Sequence, residues 1–173
     1  PMQITKIDGF NAHCAAKGVE RDVSLFLLQD ETIKEGDYLL IHVGYAIQKI
    51  SEEEALFRAT VREFAETEIK PYVHEMDEAA KFRPEIIAKF FELGLMGIEV
   101  PEQYGGAGGS IFLSALAIEE LARVDASAAI YVDVHNTLFN NALLRWGNEA
   151  QQARLFPRLT TDLLAAFALS EPA

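Results

Sequence analysis

The main change of hydrophobic periodicity along this chain falls at Ser51, and it limits the fold more than any single motif does. Before Ser51 apolar residues alternate with polar ones in short runs; after it they recur at three- and four-residue spacing. Period two buries one face of a strand and period 3.6 buries one stripe of a helix, so one regular architecture cannot serve both halves. The expectation is an α+β chain of two modules, a small β-barrel followed by an all-α helical bundle.

Residues 1–50 read as five strands. Residues 2–7 alternate and stop at Asp8-Gly9, a hairpin dipeptide; residues 11–16 stop at Lys17-Gly18; residues 19–28 alternate through Val23, Leu25 and Leu27. A polar connection over 30–37 ends near Gly36, and residues 38–43 and 45–50 are split by Gly44. Short strands with turn signals at this density fit a five-stranded, OB-like barrel, closed or half-closed. Its size is marginal for an independent core.

Ser51 and Glu54 form a capping-box pattern, and Leu56, Phe57, Val61, Phe64, Ala65 and Ile69 then mark an amphipathic helix to about Lys70. Pro71 is expected to kink or end it. The boundary between the modules, 1–54 and 55–173, therefore falls inside or just before a helix, without a flexible linker. A second helix begins near Pro84, buries Ile86, Ile87, Phe90 and Phe91, and stops at Gly94. After a short extended run over 98–100 come Gly105, Gly106, Gly108 and Gly109. Four glycines in five positions exclude a regular element, so either something passes close to the backbone there or two helices join at a sharp angle. No lysine follows as a phosphate-binding loop would need. Ser110 caps a third helix, with Leu113, Leu116, Ala117 and Leu121 on one face and Glu119 on the other. Residues 128–146 are apolar nearly all round, the mark of a central helix, closed by Gly147. Asn148 and Gln151 open a fifth helix to about Leu159, and the apolar run 163–169 suits a strand or a buried extended segment.

Fifteen basic residues against 27 acidic ones give a net charge of -12, which opposes binding to nucleic acid or an anionic membrane. No apolar run is long enough for a membrane helix, and the start lacks the basic-then-apolar pattern of a signal peptide. One cysteine, Cys14, excludes an intramolecular disulfide and fits a reducing, cytoplasmic setting. The absence of methionine at position 1 suggests either that residues are missing from the start or that this is a processed or excised piece. The usual catalytic constellations are weak. His13 and Cys14 are neighbours on a strand and point to opposite faces; His13, His42, His74 and His135 lack metal-site spacing. Of Glu119 and Glu120 one should be solvated and one bonded. His135, Asn136, Asn140 and Asn141, on an otherwise apolar helix, either bond backbone or line a cavity.

From about Leu56 onward the chain resembles the amino-terminal helical domain of the acyl-CoA dehydrogenases. The likeness rests on Val61-Arg-Glu-Phe-Ala65, Ile69-Lys-Pro71, Leu93-Gly-Leu-Met-Gly-Ile98, Pro101-Glu-Gln-Tyr-Gly-Gly106, Ile118-Glu-Glu-Leu-Ala122, Asp125-Ala-Ser127 and Phe167-Ala-Leu-Ser-Glu-Pro172. Gly97-Ile-Glu99 and Asn136-Thr-Leu138 point to short or branched-chain members. The resemblance implies an FAD enzyme that oxidises an acyl-CoA to the 2,3-enoyl-CoA and passes electrons to an electron-transferring flavoprotein. It places flavin contacts at Phe167, Leu169 and Ser170, and an acyl-pocket wall near Tyr131, Val134 and Leu138. The family's catalytic glutamate and most of its flavin and CoA site belong to later domains. Residues 1–173 alone are accordingly expected to be an inactive fragment without a catalytic residue or retained FAD.

Residues 1–54 resemble the HypC/HupF chaperones of nickel-iron hydrogenase assembly, through Ile4-Thr-Lys-Ile-Asp-Gly9, Gly18-Val-Glu-Arg-Asp-Val-Ser-Leu25, Glu35-Gly-Asp-Tyr38, His42-Val-Gly-Tyr-Ala46 and Glu52-Glu-Glu-Ala55. This implies a small barrel with a trailing helix and hydrogenase-assembly proteins as partners. The family's working cysteine, which directly follows its initiator methionine, is absent here. His42 matches a histidine placed near that cysteine, and stands as a weak metal candidate. The join over 51–57 coincides with an acidic helix start in both families, leaving natural fusion and recombination open, as well as homo-oligomer formation.

Overall fold

The computed structural model of the chain describes residues 1–166 and Ala168. It divides into two compact units, Pro1–Ala59 and Thr60–Ala173.

The first unit is a closed barrel of β1 (Met2–Asp8), β2 (Asn11–Ala16), β3 (Val19–Ser24), β4 (Tyr38–His42) and β5 (Tyr45–Ile50), in the order β1-β2-β3-β5-β4. Neighbours are antiparallel except β3 and β5, which meet in parallel at Ser24 and Tyr45. The hairpin turns draw on left-handed backbone. Asp8 pairs with Asn11 across Gly9 and Phe10, with Gly9 at φ 59. Ala16 pairs with Val19 across Lys17 and Gly18, and His42 with Tyr45 across Val43 and Gly44; all four loop residues have positive φ, as a type I′ turn requires. Register shifts at Thr5 in β1 and between Leu40 and Ile41 in β4 bend the sheet toward closure. Alternation then puts Ile4, Ala12, Cys14, Val23, Leu39 and Ala46 inside, with Leu25 and Leu28.

The third strand is shorter than its alternation suggests. The Leu25 amide donates to Phe10 O at 2.7 Å and the Phe26 amide to Ser24 Oγ at 3.3 Å, turning the chain into a 3-10 turn over Phe26–Leu28. Three-residue spacing then selects Leu25 and Leu28 for the core and leaves Phe26 and Leu27 outside.

α1 (Glu52–Phe64) opens on the capping box. The Ser51 amide donates to Glu54 Oε2 at 2.7 Å, and the Glu54 amide to Ser51 Oγ at 3.1 Å. Helical backbone continues through a π-turn over Ala65–Ile69 and a 3-10 turn over Lys70–Tyr72 into α2 (Val73–Ala79). Pro71 therefore redirects the helix without ending it: proline offers no N–H and its ring crowds the carbonyl four residues back, so the ladder widens just before it. α2 has no glycine stop; it ends at Ala80, itself left-handed at φ 47.

α3 (Pro84–Glu92) buries Ile86 and Phe90, with Ile87 and Phe91 half-buried. Gly94 at φ 71 closes it, the Leu95 amide reaching back to Phe90 O at 2.9 Å. α4 (Ile111–Ala122) is capped by Ser110 and packs on α5 (Ala126–Asp133), whose amino end is held by Asp125 Oδ1 accepting from the Ala128 amide at 2.7 Å. A π-helical segment over Val134–Asn140 leads directly into α6 (Asn141–Trp146). α7 (Glu149–Leu159) starts on the Asn148/Gln151 capping box.

Two expectations fail here. Residues 98–100 are not a strand, because the Ile98 and Val100 carbonyls accept from Gly109 and Gly108 within a folded-back loop. Nor is the helical run through 128–146 buried all round: Ile130, Leu138 and Trp146 are 59, 44 and 86% exposed. Its buried side carries His135, Asn136 and Asn140 beside Ala128, Ala129 and Val132. Residues 163–166 form no regular element. Among the described residues no helix is long and apolar enough to cross a membrane.

Candidate functional site

Residues 97–109 fold into a tight knot whose glycines are required by contact at Gly97, Gly106 and Gly109 and by left-handed backbone at Gly105 and Gly108. A Cβ on Gly106 would lie 2.0 Å from Val100 O and 2.5 Å from its carbonyl carbon; one on Gly97 would lie 2.7 Å from Thr160 Cγ2. Backbone bonds tie the knot: Ala107 to Gly97 O at 2.9 Å, Gly108 to Val100 O at 2.9 Å, Gly109 to Ile98 O at 2.7 Å. What passes close to the glycines is the chain's own backbone, together with Thr160 from the end of α7. Thr160, which no sequence pattern singles out, is fixed by donating to Phe156 O at 3.0 Å.

The π-helical segment holds this knot from the other side. Asn136 Nδ2 donates to Leu95 O at 2.7 Å and to Val132 O at 2.9 Å, and its Oδ1 accepts from the Ile98 amide at 3.2 Å. Asn140 Nδ2 donates to Met96 O at 3.0 Å. His135 clamps the chain beyond α7: its Nε2–H donates to Leu159 O at 2.8 Å and its Nδ1 accepts from the Ala165 amide at 3.1 Å. That pair of partners, one acceptor and one donor, fixes the neutral tautomer with the proton on Nε2. Burial holds the His135 imidazole below its usual range, against the opposing pull of the Leu159 and Met96 carbonyls. Of the two readings of these polar residues, backbone bonding is the one the geometry bears out.

The sign of the pH dependence follows. Free histidine titrates near about 6.5, so below that pH the unfolded chain takes up a proton that folded His135 resists. Stability is thus full above about pH 6.5 and falls as pH drops toward the depressed folded value, by at most about 1.4 kcal/mol per pH unit. Denaturant midpoints between pH 7.5 and 5 should show this slope, and His135→Gln should remove it. In the barrel His13 works the opposite way, because the Asp22 and Glu20 carboxylates beside it, at 2.8 and 3.3 Å, hold its imidazole above the usual range. Its contribution is present below about pH 6.5 and lost as pH rises through the raised value.

The remaining candidates are scattered. Glu120 is buried and ion-paired with Arg62 while Glu119 faces solvent, and Ser114 Oγ donates to Glu99 Oε1 at 2.8 Å. Tyr131 lies against the Phe82 ring, centroids 4.6 Å apart; Val134 is half-buried and Leu138 exposed. None of the three lines the groove of about 580 Å³ formed by Pro84, Ile87, Phe91, Glu92, Thr161 and Asp162 with Ala88 and Thr160. Phe167, Leu169 and Ser170 lie outside the described residues. His42 is exposed at the end of β4, and the described residues contain no cluster of three or more metal-ligating side chains. Cys14 is fully buried, and burial pushes its thiol up, away from reactivity. His135, Asn136 and Asn140 are thus equipped to position backbone.

Comparison with known proteins gives two matches along the chain. Residues 1–60 match the HupF/HypC family, and residues 51–162 match the acyl-CoA dehydrogenase N-terminal domain. The short/branched chain specific acyl-CoA dehydrogenase of Bos taurus is 42% identical over 72% of this chain and 29% of its own length. An acyl-CoA dehydrogenase of Bacillus subtilis is 41% identical over 71% of this chain and 33% of its own. The chain thus spans about a third or less of the curated relatives it matches. Among solved structures, butyryl-CoA dehydrogenase from Megasphaera elsdenii superimposes with a TM-score of 0.61 at 31% identity, covering 64% of this chain and 30% of that one. A chain from the electron transferring flavoprotein study of Acidaminococcus fermentans, concerned with flavin-based electron bifurcation, gives 0.62 at 31% identity, covering 64% and 29%. With the knot, the capped helices and the match over residues 51–162 together, the chain belongs to the acyl-CoA dehydrogenase family, of which it carries the amino-terminal domain.

Proposed function

We propose that residues 55–173 serve as the amino-terminal helical domain of a dehydrogenase acting on short or branched acyl-CoA, with FAD as cofactor and an electron-transferring flavoprotein as electron acceptor. The observation that carries this reading is the glycine knot locked over Val100 and Thr160, inside the stretch that matches the family. Tyr131, Val134 and Leu138 are assigned to the acyl wall, and Phe167, Leu169 and Ser170 to flavin contact, on the resemblance alone. FAD, when bound, supplies the electron sink for acyl oxidation; this chain's share is to shape the site around it. A domain exchange tests the reading: residues 55–173 replace the matching part of the Bacillus subtilis relative, and FAD content and acyl-CoA-dependent dye reduction are measured. A chimera that binds FAD and turns over supports it; one that binds FAD yet never turns over overturns it. Residues 1–173 alone, with added FAD and short-chain acyl-CoA, are expected to reduce no dye, and any acyl-CoA-dependent turnover sinks that expectation.

A second reading is favoured by the closed barrel and its match over residues 1–60: the front module docks hydrogenase-assembly proteins. The chain carrying an added Met-Cys ahead of Pro1 should capture hydrogenase-assembly proteins in a pull-down. Failure to do so counts against it.

A further inference from the structure

The π-helical segment over Val134–Asn140 does one thing that an α-helix of the same sequence could not. At about 3.6 residues per turn, positions five apart diverge by about 140°; the wider i→i+5 winding brings His135 and Asn140 to the same inward side. Each then holds a different stretch of backbone. Asn140 holds the chain entering the knot at Met96 O, while His135 reaches past α7 to Leu159 O and to the Ala165 amide. The knot also has Asn136 and its own backbone bonds to keep it in place; the stretch beyond α7 has much less.

Residues 163–166 form no regular element, and among the described residues the Leu163 amide on Arg158 O at 2.8 Å is the last main-chain bond into them. Leu163 and Ala165 pack on the core of Val100, Phe156 and Leu159, while Leu164 and Ala166 stay exposed. Past Leu163, the bond from the Ala165 amide to His135 Nδ1 at 3.1 Å is the one polar tether that the described residues supply. The ring that accepts it is fully buried, meets Phe91 edge to face at 6.0 Å and gives its Nε2–H to Leu159 O. Its orientation is therefore fixed from three sides.

That acceptor exists only while Nδ1 carries no proton. A second proton on the ring would set N–H against N–H, and one of the two groups would have to leave. No charged side chain from its own helical run (Asp133), from α3 (Lys89, Glu92), from α7 (Arg158) or from the turn after α7 (Asp162) contributes to the proton affinity of His135, which burial sets against the pull of the Leu159 and Met96 carbonyls. Residues 94–97 carry no titratable group. We infer that His135 is the positioning residue for residues 163–166 and, through them, for Phe167, Leu169 and Ser170, and that a proton at Nδ1 frees this segment while the helical unit stays folded. The flavin half rests on the function proposed above, whereas the clamp stands on the bonds around Ala165. Residues 163–169 carry no charge, which fits contact with a flat, uncharged ring system.

Amide hydrogen exchange on the whole chain tests the clamp, with the amide of Leu121, fully buried in α4, reporting unfolding of the unit. Corrected for intrinsic rate, Ala165 exchange should quicken at least tenfold from pH 7.5 to 5, because an opening that exposes a histidine titrating near about 6.5 gains up to about tenfold per pH unit below it. Leu121 should stay the slower of the two throughout. His135→Gln can both accept from Ala165 and donate to Leu159, so it should keep the protection at pH 7.5 and lose the pH dependence. His135→Leu should quicken Ala165 at least about tenfold at pH 7.5, the effect of one lost buried hydrogen bond; were it to unfold, the parent and glutamine pH profiles decide. In the domain exchange described above, the flavin spectrum and the rate of FAD release should match the parent chimera for glutamine, with release at least tenfold faster for leucine. Ala165 and Leu121 exchanging together, an Ala165 rate without this pH dependence, or a glutamine variant that retains it would each overturn the clamp. A parent chimera that holds FAD no more firmly than its leucine variant overturns the positioning role. A parent chimera that takes up no FAD instead overturns the proposed function, and the exchange rates still decide the clamp.

Discussion

Gly106→Ala is expected to remove the helical unit's cooperative unfolding transition, or to lower its stability by on the order of 4 kcal/mol, the upper range for a single substitution. The size follows from what the added methyl would meet. Val100 O at 2.0 Å and the Val100 carbonyl carbon and Cβ at 2.5 Å belong to a fully buried residue, so no flexible side chain can swing away. Relief requires separating residues 97–100 from 105–109, which breaks the bonds from Ala107, Gly108 and Gly109 to that segment. Gly105→Ala is the contrasting case. Its cost is a left-handed φ of 87 plus a 3.1 Å approach to Thr160 Oγ1, the end of a side chain, and about 1–2 kcal/mol is expected. Chemical denaturation followed by far-ultraviolet circular dichroism checks both; a Gly106→Ala midpoint within error of the parent would show the knot to be looser than its geometry requires.

How much of this was legible in sequence depended on whether local or distant partners decide each residue. The barrel strands were readable because Asp8-Gly9, Lys17-Gly18 and Gly44 mark turns between neighbouring residues. β3 was over-extended because Val23, Leu25 and Leu27 keep the alternating pattern while a backbone bond from Leu25 to Phe10, far along the chain, stops the strand. Pro71, which the sequence reads as a kink or an end, redirects the helix into α2, because it occupies the start of a 3-10 turn where a missing N–H costs little. Capping boxes at Ser51 and Asn148 were legible, being local chemistry. Wrongly burying residues 128–146 all round had a different cause. Hydropathy asks how greasy a helix is, whereas here the inward side is chosen by carbonyls and amides of non-helical backbone that only His135, Asn136 and Asn140 can satisfy.

The two family matches overlap on residues 51–60, where the reciprocal bonds between Ser51 and Glu54 cap α1.

Asn136→Ala is expected to cost on the order of 4 kcal/mol, nearly as much as the glycine substitution but by loss of partners instead of collision. The Leu95 carbonyl and the Ile98 amide would lose the bonds Asn136 gives them, in a site where Asn136 itself is 1% exposed. Each buried polar group left unpaired costs about 1–3 kcal/mol. Asn136→Asp separates hydrogen bonding from volume. Its shape is retained and one oxygen still accepts from Ile98, but the other would face the Leu95 and Val132 carbonyls, so the carboxyl is driven toward its protonated form. With a folded pKa raised above the unfolded value of about 3.9, the penalty is small below that pH and grows as pH rises through the raised value. Relative to the parent at each pH, Asn136→Asp should therefore recover stability on acidification from pH 7 toward 4, whereas Asn136→Ala should show no comparable recovery. Denaturant midpoints for parent and both variants at pH 7, 5.5 and 4 decide it: parallel curves for aspartate and alanine would mean that packing, not the three hydrogen bonds, holds residues 95–98 in place.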